Sequence, residues 1–160
     1  MKATSNKYSY QMLDSSDVSL LKKLLKVFGE AFEETETYQG AVPTDDYLKG
    51  LLGKQHFLAL VALHEEEVVG GLVSYELEKF EQDRREIYIY DLAVARAHRR
   101  RGIATTLITR LIEIARERRA YVIFVQADRG DEPAIKLYES MGTREDVHHF
   151  DIVVPPRAAV

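Results

Sequence analysis

The stretch Glu86–Ala115, EIYIYDLAVARAHRRRGIATTLITRLIEIA, decides how the rest of the chain is read. Its opening, Glu86–Val94, is β-branched or aromatic with few breaks, the composition of a strand. Beyond Arg99-Arg100-Arg101-Gly102-Ile103-Ala104, apolar residues recur at Ile103, Leu107, Ile108, Leu111, Ile112 and Ala115. That spacing is a helix with one buried face. Strand, basic glycine turn and helix together make a candidate anion site. The first N–H groups of a helix have no partners within it, and the helix dipole adds to their pull on negative charge. Gly102 lets a bound group approach the backbone, Ala104 keeps the first turn slim, and the arginines surround it with mobile charge. The GxxxxGK(S/T) run of a nucleotide P-loop is missing, as is the GxGxxG fingerprint of a dinucleotide turn. A phosphate-bearing ligand held without those motifs is one reading; a basic loop capping a core helix is the other.

Outward from this stretch, 160 residues most economically form a single domain, 1–160, with one core. A 46% apolar and 30% charged composition suits a globular protein that needs no membrane. No apolar run approaches the roughly 18 residues of a membrane span. The start, MKATSNKYSYQML, has no long apolar core of a secretory leader, so a cytoplasmic location is expected. The absence of cysteine removes disulfides, thiolate metal ligands and a thiol nucleophile. Net charge is −4, from 26 acidic and 22 basic residues, which argues against a nucleic-acid partner. Positive charge is local, at Arg96–Arg101 and Arg116–Arg119, while acids gather at Glu30–Glu36, Glu65–Glu67 and Asp128–Glu132. A chain so arranged suits an anionic cofactor in one place and a cationic small molecule in another.

The rest of the chain predicts a strand at Tyr8–Leu13, then a helix capped within Ser15–Asp17 and running past Phe28 to Phe32. The acidic run EAFEETETY is read as the C-terminal end of that helix, where carboxylates oppose the dipole. Tyr38–Pro43 is a connection. Thr44–Leu52 is a short helix, and Phe57–His64 and Val68–Tyr75 are strands joined by a tight turn. Gly70 and Gly71 mark a bulge or close packing in the second of them. Charged Glu76–Arg85 interrupts the pattern. Ala120–Ala127 reads as a strand covered on both faces and paired in parallel. Pro133 opens a helix at Ala134–Met141, and His148–Val154 is a last strand before a frayed end. The order predicts an α/β fold, a mixed sheet of six or seven strands with helices on both faces.

Arg99–Ala104 resembles the Arg/Gln-x-x-Gly-x-Gly/Ala acyl-CoA loop of the GCN5-related N-acetyltransferases (GNAT). Asp131-Glu132-Pro133-Ala134-Ile135-Lys136-Leu137-Tyr138, with Gly142 beyond it, resembles their Asn-x-x-Ala-x-x-Leu-Tyr segment, with Asp131 in place of the usual Asn. YIYDLAV (Tyr88–Val94), HRRRGIAT (His98–Thr105), VQADRGDEPA (Val125–Ala134) and HFDI (His149–Ile152) are similar to the aminoglycoside 3-N-acetyltransferases that act on gentamicin. The resemblance covers nearly the whole chain. It implies the GNAT fold, acetyl-CoA as cosubstrate, direct transfer in a ternary complex to the 3-amine of an aminoglycoside, antibiotic resistance, and a possible homodimer. An acetyltransferase for a polyamine or other small amine is the alternative, and a noncatalytic acyl-CoA-binding module a more distant one.

On this reading the amides near Arg100–Thr105 take the pyrophosphate, with Arg99, Arg100, Arg101, Gly102, Ile103, Ala104 and Thr105 forming the loop. The resemblance places the pantetheine arm along the main chain of Leu92, Ala93 and Val94, in a splay between two strands. Asp131 belongs to the same cofactor set by its motif position. Asp91 stands out because period-two counting puts it with Ile87, Ile89 and Ala93, where a carboxylate is costly unless partnered. A bulge that re-aims it to a cleft would make it the base that orients the amine and takes its proton; a structural carboxylate is the plain alternative. Glu86 is the substitute base. Tyr138 matches the family tyrosine that donates to the departing thiolate, and packing at a helix edge is its other reading. Asp128, Glu132, Glu33, Glu34 and Asp151 are candidates for binding a polycationic acceptor. Tyr88 and Tyr90 offer sugar-stacking faces. The five histidines form no ligand pattern, so no metal is expected.

Overall fold

The computed structural model describes residues 8–158. The expectations that involve the first seven residues, and those about Ala159 and Val160, fall outside them. The elements run β1 (Ser9–Met12), α1 (Val18–Ala31), α2 (Thr35–Gln39), α3 (Asp45–Leu52), β2 (Phe57–His64), β3 (Glu67–Glu78), β4 (Arg85–Val94), α4 (Ile103–Glu117), β5 (Ala120–Val125) and α5 (Glu132–Glu139). Two compact units divide after Gln126.

The first unit is a mixed five-stranded sheet in the order β1-β2-β3-β4-β5. β1 to β4 pair antiparallel, and β5 joins β4 in parallel. Leu21, Leu24, Val27 and Phe28 of α1, with Leu48 and Leu52 of α3, form one core with Phe57, Ala59 and Val61 of β2 and Val73 of β3. The alternate residues Leu58, Leu60 and Leu72 are also buried, and α4 packs there with Ile103, Leu107, Ile108 and Leu111. Period-2 strands and period-3.6 helices thus supply two apolar layers to one sheet. Gly71 serves close packing: a Cβ there would meet the Leu60 carbonyl at 2.5 Å and a Leu24 methyl at 2.6 Å. The bulge in this arm falls beside it, where Val69 is skipped between Ala62↔Gly70 and Leu63↔Val68.

Several expectations are corrected. Among the described residues the sheet has five strands where six or seven were expected, because His148–Val154 forms none. A strand needs a ladder neighbour, and these residues have none among the described residues; Phe150, Ile152, Val153 and Val154 are 82–90% exposed. β5 pairs in parallel as read, yet it is not covered on both faces, with Tyr121 50% and Val122 39% exposed. β3 continues through Glu78 because Glu76, Leu77 and Glu78 find ladder partners in Ile87, Glu86 and Arg85. Arg85 and Arg118, each 2.9 Å from Glu76, neutralise the charge within it. The acidic run is divided between two helices, with only Glu30 left in the last turn of α1. α1 stops at Ala31, Glu33 turns the chain with φ 56°, and Glu34 and Glu36 lie at the cap and first turn of α2, the end at which negative charge is favourable.

The second unit carries α5. The Asp131 carboxylate accepts the Ala134 N–H at 3.3 Å, and Pro133 occupies the first turn. The helix therefore begins at Glu132 and ends at Glu139, two residues ahead of the expected span at each end.

Candidate active site

β4 changes face at Asp91. Its register against β3 runs Leu72↔Leu92 and Val73↔Asp91, then Ser74↔Ile89, so Tyr90 is an extra residue in the ladder. One extra residue exchanges the faces of a strand beyond it. Ile87 and Ile89, before the bulge, are buried on the α4 side; Ala93, beyond it, lies in the core beneath α1, as does Val73 opposite Asp91. The expected company of Asp91 with Ile87 and Ile89 is therefore lost, and only that with Ala93 remains. The carboxylate meets the Tyr38 hydroxyl, which donates to its Oδ2 at 3.0 Å. Burial holds the Asp91 carboxyl above its ordinary range, opposed by the Tyr38 hydrogen bond and reinforced by the charge of Glu34. A proton acceptor with a raised pKa is a chemically useful group near neutrality.

The same bulge opens the sheet. The parallel β4–β5 ladder ends at Ile89↔Val125, while β4 continues to Val94. Leu92, Ala93 and Val94 pair with Leu72, Gly71 and Gly70 on one side and have no ladder partner on the β5 side. A backbone edge able to exchange hydrogen bonds with an amide-bearing chain is left beside Asp91.

A 3₁₀ turn at Arg96–His98 leads into the arginine loop. Arg99 Nε donates to the Val94 carbonyl at 3.0 Å and so ties the loop to the end of β4. Arg100 has φ 63° and Gly102 φ 76°. The arginine holds a left-handed backbone at a cost of about 1–2 kcal/mol, a strain typical of ligand-holding turns. Gly102 is the N-cap of α4 and has no side chain to cap it; the Thr106 N–H is bonded to the Gly102 carbonyl at 3.0 Å. The N–H groups of Ile103, Ala104 and Thr105 precede that first bond and face the helix entrance. Nothing stands within 4 Å of a Cβ built on Gly102. Open space, three helix-terminal donors and neighbouring guanidinium groups fit a diphosphate. Ile103 brings only its main chain, since its side chain is 2% exposed in the core. His98 is engaged with Tyr8, whose hydroxyl lies 2.9 Å from Nδ1.

The other candidates each have their own surroundings. Glu86 accepts from the Tyr121 hydroxyl and lies 3.4 Å from Lys79 Nζ, near the opposite end of β4 from the loop. The structure does not bring it to Asp91. Glu33 and Glu34 are both exposed at the α1–α2 turn, and of the two it is the charge of Glu34 that acts on Asp91 and Tyr38. Tyr88 stacks on Phe124 with centroids 4.8 Å apart, and Tyr90 stands edge-on to Tyr75 at 5.9 Å. In the second unit, the Asp128 carbonyl accepts the Asp131 N–H at 3.1 Å. Asp128 and Glu132 are exposed, and Asp151 pairs with His149 at 3.0 Å. Burial and the Asp131 charge push the Tyr138 phenol up to about 12. Among the described residues no group of three His, Asp or Glu side chains could hold a metal ion. Tyr38 was missed, being read as part of a connection. A glycine, Gly29, inside the apolar face of α1 was the available signal that another element comes close there.

With this geometry in view, three comparisons bear on the chain. The model of the acetyltransferase (GNAT) family matches residues 21–143, and the chain belongs to that family, whose members use acetyl-CoA. An aminoglycoside acetyltransferase from an uncultured soil metagenomic sample is 56% identical, covering 93% of this chain and 99% of that one, with a TM-score of 0.92. A second soil-metagenome aminoglycoside acetyltransferase, solved in complex with sisomicin, is 32% identical over 96% of this chain and 100% of that one, with a TM-score of 0.88. N-acetyltransferase 8 of Homo sapiens is 27% identical over 105 residues, 66% of this chain and 46% of that protein. The chain spans less than half the length of the curated relatives it matches.

Proposed function

We propose that this chain, 1–160 acting as one domain, transfers an acetyl group from acetyl-CoA to the 3-amine of an aminoglycoside such as gentamicin, and thereby confers resistance. The observation that carries the reading is Asp91: a half-buried carboxylate at a β-bulge, next to a splayed strand edge and a helix-terminal anion loop. The two soil-metagenome neighbours, one of them solved with sisomicin, support the substrate class. Arg99, Arg100, Arg101 and the amides of Gly102–Thr105 hold the diphosphate, and the main chain of Leu92–Val94 aligns the pantetheine amides. Bound acetyl-CoA supplies the activated acyl group. Asp91 draws in the ammonium and accepts its proton, which exposes the lone pair for direct attack. Tyr138, protonated across the neutral range, provides the proton that the leaving thiolate needs. Glu34, whose charge acts on Asp91, helps it attract a polycation, and Glu33, Asp128, Glu132 and Asp151 add negative charge that favours a cationic acceptor. Asp131 serves this set by capping the helix that carries Tyr138. Because the reaction consumes acetyl-CoA, we place it in the cytoplasm.

The test is acetyl-CoA-dependent turnover on gentamicin, spermidine and a peptide panel, with the product mapped. Acetylation at the 3-amine of 2-deoxystreptamine is expected; transfer only to other amines refutes the substrate. Gly102→Val forces a β-branched residue into a left-handed turn and fills the space in front of the donors. Titration calorimetry with CoA is expected to show affinity about 10–30-fold weaker. We also propose a homodimer that covers the apolar tail, since Phe150 and Ile152 are 82% and 90% exposed. Light scattering is expected to give twice the chain mass for the wild-type protein and a monomer for the Phe150→Ser, Ile152→Ser double variant.

A further inference from the structure

The Asp91 carboxylate has a dedicated partner. Tyr38, 53 positions earlier in the chain, donates its hydroxyl to Asp91 Oδ2 at 3.0 Å. Its ring is held from behind by Phe28 and Phe32, at centroid distances of 6.0 and 5.7 Å, and those two rings stack on each other at 5.7 Å. A Cβ on Gly29 would lie 3.3 Å from the Tyr38 Cβ, so the bare glycine lets α2 settle this tyrosine onto α1. Three apolar contacts therefore fix the ring, and its single polar atom is spent on Asp91. A hydroxyl placed only for solubility would face water, and a tyrosine placed only for packing would not aim at a carboxylate.

The ionisable groups that bear on this pair come from every neighbouring element. Glu34 stands at the head of α2, Tyr75 is on β3, Tyr88 and Tyr90 are on β4, and Tyr47 of α3 acts on Tyr75. Burial and the Glu34 charge favour the protonated form of Asp91, while the Tyr38 hydroxyl works the other way and favours the ionised carboxylate.

We infer that Tyr38 is a positioning residue for Asp91: its hydroxyl holds Oδ2 and leaves Oδ1 to take the proton of the acceptor amine. This rests on the acetyl-transfer reading above. The proton passes from the ammonium nitrogen to Oδ1, while Tyr38 keeps its own. Oδ2 remains an acceptor after Oδ1 is protonated, so the Tyr38 bond persists through the transfer. The same bond favours the ionised carboxylate before transfer and keeps Asp91 available near neutral pH.

Tyr38→Phe removes one oxygen and keeps the ring between Phe28 and Phe32. The acid limb of the kcat/KM profile is expected to move up by about one pH unit, and a ¹³C carboxylate titration of Asp91 to move with it. Above that limb kcat is expected to fall about tenfold with little change in the acceptor KM, and in an Asp91→Asn background Tyr38→Phe adds nothing. If Tyr38→Phe does not fold, 3-fluorotyrosine at position 38 keeps the shape and makes a stronger donor, so the titration shifts down instead. Full activity in Asp91→Asn sinks the role of Asp91 itself. A collapse in Asp91→Asn, with limb and titration unmoved in the position-38 variants, overturns the role of Tyr38 alone.

Discussion

Asp91→Asn is expected to lower kcat by about 10²–10⁴-fold, the range for losing a positioned general base. The isosteric amide keeps an oxygen that can accept from Tyr38, so the site geometry is retained while the proton acceptor is lost. The same variant is expected to be more stable than the wild-type protein at neutral pH. Burial raises the Asp91 pKa in the folded state. As pH rises through the unfolded value, the unfolded chain releases its proton first, and the folded state holds on to it. Stability therefore falls across the window between the two pKa values and stays reduced above the folded one. Asn has no such proton, so its melting temperature should exceed the wild-type value at pH 7, and the gap should close in acid below the ordinary carboxylate range. Lost turnover together with gained stability is the signature of a group retained for chemistry. Full turnover, or a protein that melts earlier at pH 7, contradicts it.

Tyr138→Phe is the second large effect, a loss of about 10²-fold in kcat under chemistry-limited conditions, with KM for acetyl-CoA nearly unchanged. A phenol pushed up to about 12 stays protonated through the whole assay range, so it always has a proton to give. For the same reason no alkaline limb below about pH 11 should belong to it. Single-turnover kinetics separate this step from product release. An unchanged chemical rate would reduce Tyr138 to a packing residue of α5. Asp131 enters both ways: its charge helps to raise the Tyr138 pKa, and its carboxylate caps the helix that carries Tyr138.

Much of this molecule was legible in one dimension. Glu86–Ala115 announced a strand, a basic glycine turn and a helix, and those elements stand at Arg85–Val94 and Ile103–Glu117. The reason is locality: β-branched runs, helical spacing and a glycine that must take a positive φ each act within one or two turns of chain. The parallel pairing of β5 followed from its continuous apolar run. The family followed from two short motifs at their proper separation, a pattern that residues 21–143 match as a whole. Asp91 also drew notice locally, as a carboxylate among apolar neighbours.

Tertiary structure decided which way that carboxylate points. Side-chain direction along β4 is counted against β3, and the skipped Tyr90 is visible only once Val73 and Ser74 are seen opposite Asp91 and Ile89. The partner of Asp91 lies 53 residues away on a helix too short to leave a periodic trace, so no window of sequence joined Tyr38 to it. Most of the acidic run, which looked unfavourable at the end of one helix, proved to lie at the start of another, because the break at Glu33 is a backbone turn that the residue types do not require. The residues His148–Val154 have the composition of a strand, but a strand is a relation between two segments, and only the folded chain shows whether the second is there.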